Sequence, residues 1–126
     1  MLIPNSVEKI GKYAFSSDIA DIGKAPKVTR LVLGNNIKTI DDSAFAYCEN
    51  LTELIIPNGV ETIGNAAFID CNNLEGELFV PDTVTSIGNV AFSVNAGKNK
   101  LDSITISKST TYNANTFSGR PTPIIR

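Results

Sequence analysis

Few residues in this chain have chemical reach. There is no histidine, which removes a histidine-based triad, imidazole metal ligands and the commonest general base. The two cysteines, Cys48 and Cys71, cannot complete a four-ligand zinc site without other donors. Asp41-Asp42 has the form of a carboxylate pair, but a capping role for Asp41 is the more economical reading. Asn50-Leu51-Thr52 has the form of a glycosylation acceptor and is read as a chance match. Neither G-x-x-x-x-G-K-[ST] nor G-x-G-x-x-G occurs, so no phosphate or dinucleotide loop is indicated. No catalytic, cofactor or metal residue is assigned, and the chain is expected not to be an enzyme. What remains is surface chemistry. Arg30, Val32, Glu53, Ile55, Glu77 and Phe79 form the candidate protein-binding set, an apolar strip (Val32, Ile55, Phe79) bordered by charge.

The elements that must position these residues come from a repeat. In LTELIIPNGVETIGNAAFIDCNN, residues 51–73, Leu51, Leu54 and Ile56 have the spacing L-x-x-L-x-L. Pro57-Asn58-Gly59 follows, then Val60, Ile63, Gly64, Ala67-Phe68 and Cys71. Val28, Leu31, Leu33, Ile37, Ile40, Asp41, Ala44, Phe45 and Cys48 repeat the series. So do Leu78, Val80, Pro81, Val84, Ile87, Gly88, Ala91 and Phe92. A weaker copy runs through Leu101, Ile104, Ile106, Tyr112, Asn113 and Phe117, and the chain opens inside another: Ile3, Pro4, Val7, Ile10, Gly11, Ala14, Phe15. Five of the 6 phenylalanines share one column, at intervals of 30, 23, 24 and 25 residues. A period of roughly 23 residues belongs to the leucine-rich end of the solenoid range.

Within a copy, L-x-x-L-x-L alternates inward and outward as a short strand. The outward positions are Thr29, Arg30, Val32; Thr52, Glu53, Ile55; Glu75, Glu77, Phe79; and Asp102, Ser103, Thr105. They form one continuous face with Glu53, Glu75, Glu77 and Asp102 as an acidic border. The simpler alternative is that β-branched outward residues merely suit strands, or that the strip packs on another repeat segment. Pro-Asn-Gly or Pro-Asp-Thr then turns the chain. The next column, Gly11, Asp41, Gly64, Gly88 and Asn113, holds residues that tolerate left-handed backbone or cap helices. A strained bend there, followed by a short helical turn over NAAF or NVAF, is the expectation, with Phe at the centre. Cys48 and Cys71 lie in one column of neighbouring copies. Strands roughly 4.8 Å apart would allow a bridge, but two small buried thiols filling a core column is the simpler reading.

At 126 residues, 42% hydrophobic and 19% charged, the chain fits one ordinary globular domain. A net charge of −2 argues against a nucleic-acid partner. The apolar runs are too short to span a membrane, and MLIPNSVEKIG shows no export signal. The repeat divides the chain into coils at about 1–27, 28–50, 51–73, 74–100 and 101–119. Insertions at 18–27 and 93–100 fall at the same point of the repeat and should loop out on one side. Coil four carries an extra residue near Gly76. The last coil is eroded, as terminal repeats commonly are. The tail at 120–126, with two prolines, reads as extended and mobile. The chain opens part-way through a repeat with an uncapped end, as a segment of a longer protein would, or as an end that pairs with another copy.

Strand L-x-x-L-x-I-P followed by V-x-x-I-G-x-x-A-F-x-x-C resembles the BspA-type leucine-rich repeat of bacterial surface proteins. IIPNGVETIGNAAFIDC matches it almost throughout; LVLGNNIKTIDDSAFAYC and LFVPDTVTSIGNVAF match with small departures. The resemblance covers roughly residues 1–119. It implies an α/β leucine-rich-repeat solenoid of about five coils, with a short parallel sheet on one face and turns or short helical turns on the other. It further implies a non-enzymatic protein-binding module of a bacterial surface or secreted protein, working in adhesion or host interaction through the strand face. The partner would be a protein, a host matrix or surface protein among the candidates, and the open solenoid ends offer self-association. The alternative is a structural spacer with no ligand of its own.

Overall fold

The computed structural model describes residues 1–17 and 27–126. The first insertion expected at 18–27 lies, apart from Lys27, outside the described residues. The chain winds as a parallel β-solenoid. Its back is a four-stranded sheet of β1 (Lys9–Ile10), β3 (Thr39–Ile40), β5 (Thr62–Ile63) and β7 (Ser86–Ile87), in the order β1-β3-β5-β7. Register is fixed by repeat: Ile10 faces Ile40, Ile40 faces Ile63, and Ile63 faces Ile87. Those isoleucines point inward and are buried, while Lys9 and the small hydroxyls Thr39, Thr62 and Ser86 alternate outward, as a half-buried strand requires.

The front is built from β2 (Arg30–Val32), β4 (Glu53–Ile55), β6 (Glu75–Phe79), β8 (Lys100–Ile106) and β9 (Ile124–Ile125), all pairing parallel. It is not one continuous sheet. β2 pairs β4, and β6-β8-β9 form a second group. The break coincides with the extra residue of coil four. Gly76 sits at φ 77°, and the β6–β8 register shifts between Gly76 and Glu77, as a bulge built on a left-handed glycine does. Across the break the Glu75 N–H still donates to Thr52 O at 3.1 Å.

The third side corrects the expected helical turns. No described residue is helical, so the α component of the expected α/β class is absent among them. In NAAF and its equivalents the backbone alternates hand. Tyr13, Ser43, Ala66 and Val90 have φ of 58°, 56°, 56° and 52°, and Tyr47 and Asp70 follow at 61° and 54°. Alternation turns every second N–H along the stack. Phe15, Phe45, Phe68 and Phe92 donate to Ala44, Ala67, Ala91 and Thr116 carbonyls at 2.7–2.9 Å, while intervening residues close local turns, such as Ala67 N–H to Gly64 O at 3.4 Å. A helix would direct those donors back along its own coil. Each left-handed non-glycine residue costs roughly 1–2 kcal/mol, which the inter-coil bonds and the packing beneath must offset. The left-handed positions also lie two residues beyond the Gly/Asp/Asn column where they were expected.

About three turns are complete, fewer than the expected five. Among the described residues the first coil pairs with the front strands through a bridge from Leu2 to Val32, and the last pairs with the back sheet through a bridge from Thr111 to Ser86. There the Ile of the back column has given way to Tyr112, so no apolar residue repeats the strand pattern. The tail is held in place: β9 pairs Ile124 with Thr105 and Ile125 with Ile106.

The core is a set of columns along the stack. Phe15, Phe45, Phe68, Phe92 and Phe117 form a ladder with centroids 5.2, 5.2, 5.2 and 5.6 Å apart and ring planes within 11° of parallel. Cys48 and Cys71 are free and buried. Their thiols donate at 3.3 Å to the carbonyls of Phe15 and Phe45, each one coil back. Burial pushes the Cys71 thiol well above its usual value. At the end of the stack Arg120 takes the same role with a larger group. Its Nε donates to Phe92 O at 2.9 Å and its Nη2 to Cys71 O at 3.0 Å.

Candidate functional site

The front face is outlined by side chains whose neighbours in the strand point into the core. Leu31, Leu54, Leu78 and Ile104 are buried, so the residues flanking them must point out. The pairing Arg30 to Glu53 and Val32 to Ile55 sets two candidate columns side by side across β2 and β4. Arg30 Nε reaches Glu53 Oε2 at 2.9 Å, an exposed ion pair worth about 0–1 kcal/mol whose main effect is to fix two long side chains. Val32 is half-buried and Ile55 is 48% exposed.

Glu77 and Phe79 belong to the second group, paired with Ser103 and Thr105 of β8. The Thr105 hydroxyl donates to Glu77 Oε1 at 3.1 Å. Phe79 is 50% exposed. The six candidates therefore share one face of the molecule in two subsets, Arg30, Val32, Glu53 and Ile55 on one sheet and Glu77 with Phe79 on the other. β4 and β6 are in contact across the Gly76 break.

Three participants on this face were not foreseen. Leu2, 72% exposed and bridged to Val32, continues the outward column at one end. Ile124, paired with Thr105, continues it at the other. Arg126 lies across the second subset, its Cζ 4.1 Å from the Phe79 ring centroid. The Ile124-Ile125 doublet repeats the sequence doublet Ile55-Ile56, which is the sequence signal that the tail holds a strand, although Ile125 is exposed where Ile56 is buried. Nothing in the sequence signals where the Arg126 side chain goes.

The remaining sequence candidates are structural. Asp41 Oδ1 accepts the Asp42 N–H at 2.7 Å, and its Oδ2 lies 3.3 Å from Lys9 Nζ. The Asp42 N–H, then the Lys9 charge, hold the Asp41 carboxyl below the usual carboxylate range. It serves a turn and not a helix cap. Asp42 Oδ1 accepts the Asn65 N–H at 2.8 Å, and Asn65 Oδ1 accepts the Asn89 N–H at 2.8 Å. This side-chain ladder was not legible in the sequence.

Among the described residues no three His, Cys, Asp or Glu side chains are grouped so as to hold a metal ion. Among them, too, no helix is long and apolar enough to cross a membrane. Open depressions of about 340 and 420 Å³ lie at the last coil, beside Tyr112, Phe117 and Pro121, and at the second insertion, beside Asn72, Asn73, Lys98 and Lys100.

No curated protein matches the chain. The family model for the BspA type leucine rich repeat region matches residues 23–122 in 6 copies. With the match spanning most of its length, this chain belongs to the BspA-type leucine-rich-repeat family.

Proposed function

We propose that this chain is a non-enzymatic protein-binding module of a bacterial surface or secreted leucine-rich-repeat protein, acting in adhesion or host interaction through its front face. One observation carries the proposal. Leu2, Ile55, Phe79 and Ile124 stand exposed along the outward column of the front, with half-buried Val32 and the short Thr105 between them. Scattered exposed apolar residues are ordinary, but a row of them rimmed by Glu53, Glu75, Glu77 and Asp102 has the anatomy of a binding patch. The strands beneath are each laddered to a neighbour, β4 to β2 and β6 to β8, so association would cost little further ordering. Solenoid sheets are well suited to such contacts, since stacking extends one surface without changing its chemistry.

The competing reading is a spacer, favoured by the unbroken coil-to-coil bonding of the back sheet. Binding to immobilised host matrix and plasma proteins separates the two. The native chain should bind, and Ile55→Thr with Phe79→Ser should weaken binding about tenfold or more while leaving a cooperative melt. A native chain that binds none of these proteins, or variants that bind as well as it does, would put the spacer reading in its place.

A further inference from the structure

We propose that the Phe79 ring, the Val80 carbonyl and the Asp82 carboxylate form an arginine-binding site on the front face. In this chain the site is filled by Arg126, and the partner segment it is built to take is an extended apolar strand carrying an arginine. The proposal rests on the front face being the binding surface and names the chemistry that surface would recognise.

The geometry is that of guanidinium recognition. Arg126 Nη2 donates to Val80 O at 2.5 Å and to Asp82 Oδ1 at 2.7 Å, while its Cζ sits 4.1 Å from the Phe79 ring centroid. A planar cation thus stacks on an aromatic face as its edge meets a carboxylate and a carbonyl, a combination an ammonium satisfies less well. All three elements come from Phe79–Asp82, where β6 runs into its turn, and Pro81 fixes the backbone between them.

No other coil carries this combination. The column of Phe79 reads Leu2, Val32, Ile55, Phe79, Thr105 along the stack, and the column of Asp82 reads Asn5, Asn35, Asn58, Asp82, Lys108. Coil four alone joins an aromatic ring to a carboxylate at these two positions. The repeat does not need either residue there, because the other coils fold with Leu, Val, Ile or Thr and with Asn or Lys.

The present occupant also sits at the end of a short edge strand. β9 contributes two paired residues, Ile124 and Ile125 are 57% and 50% exposed, and the backbone bond from Arg126 N–H to Ile106 O is 3.0 Å. Pro121 and Pro123 remove two N–H donors from the segment leading to it. Between Phe79 and Ile124 the outward column holds only the short Thr105, which leaves room for the arginine to cross. Arg126 therefore acts as an internal stand-in that a partner's arginine can replace.

The test uses the full chain with Arg126→Ala, which vacates the site and keeps both pairing residues of β9, Ile124 and Ile125. N-acetyl-arginine amide is titrated while the Phe79 ring and Asp82 signals are followed by NMR, with the buried Phe68 ring reporting the fold. The variant should show saturable shifts at Phe79 and Asp82. The native chain should respond at least about threefold more weakly, as should the variant toward N-acetyl-lysine amide. Adding Phe79→Ala to the variant should abolish the response. No saturable shift in Arg126→Ala, an equal shift in the native chain, or persistence after Phe79→Ala would each overturn the proposal. The probe needs no protein partner. A front face that binds a host protein through Ile55 without any arginine response would leave the functional proposal standing and remove this one.

Discussion

The Asn65 backbone N–H donates to the Asp42 side chain, 23 residues earlier and one coil away, at 2.8 Å. The bond explains a glycine. A Cβ at Gly64 would lie 2.5 Å from both the Asp42 nitrogen and its Oδ1, and one at Gly88 would lie 2.5 Å from the same atoms of Asn65. Those glycines serve close approach, not an unusual φ. Gly64→Ala should cost about 1–3 kcal/mol, since backbone must shift to admit the methyl. Urea melts would show it; at Gly11, where a Cβ meets nothing within 4 Å, the same change should be far milder.

The phenylalanine ladder predicts a gradient. Phe45, Phe68 and Phe92 are fully buried with a ring on each side, whereas Phe15 is half-buried and, among the described residues, stacks on Phe45 alone. Phe68→Ala should cost about 3–5 kcal/mol, and Phe15→Ala distinctly less. Equal losses in chemical denaturation would mean that the stack is not what holds the coils.

Val90 is a β-branched residue at φ 52°, a conformation such residues avoid. Its carbonyl accepts the Ser93 N–H at 3.1 Å and the flanking Phe92 N–H donates to Thr116 O in the next coil at 2.9 Å, which hold the local turn in place. Val90→Asn keeps a side chain and relieves the strain, which should add roughly 1 kcal/mol. A melting temperature raised by a few degrees would report it, and a lowered one would mean the valine packs to greater effect than the strain costs.

Two carboxylates should respond to pH with opposite signs. The Asp41 carboxyl, held down by the Asp42 N–H and then by Lys9, contributes stability present above the ordinary carboxylate value of 3.8 and lost as pH falls through its lower folded value. Burial raises the Asp70 carboxyl against the pull of Arg120, so Asp70 opposes folding once pH rises above 3.8 and is neutral in effect below it. Asp70→Asn should therefore stabilise the chain at pH 7 and change little at pH 3. The left-handed φ of 54° there also suits asparagine. Denaturant midpoints at the two pH values test it.

The sequence carried the columns well because each is a repeated apolar choice. The Phe ladder, the back isoleucines and the extra residue at Gly76 were all legible from spacing. The path of the backbone between columns was not. NAAF suits a helical turn locally, and only the carbonyls offered by the next coil make the left-handed alternation at Ala66 and Val90 worthwhile. Ile124-Ile125 escaped because the last coil is short, so the doublet arrives 19 residues after Thr105-Ile106 and out of period. The outward positions of the front strands follow from the alternation within each copy, but the expected continuous face is divided at Gly76, and that division and the reach of Arg126 depend on three-dimensional register that no single copy contains.

Many side-chain bonds between neighbouring coils span one repeat along the chain: 23 residues for Arg30–Glu53, Thr52–Thr29 and Asn65–Asp42, 24 for Thr85–Glu61 and Asn89–Asn65. Within the repeats each coil bonds to the one before and the one after, and the two arginines near the end of the chain, Arg120 and Arg126, reach one coil further. Removing residues 51–73 as a block would bring Ile40 opposite Ile87 and Phe45 against Phe92, and every junction would find a partner of the kind it had. A gene segment encoding such a chain can gain or lose a copy by unequal recombination, and each event changes the protein's height by roughly 4.8 Å without asking the remaining coils to fold differently.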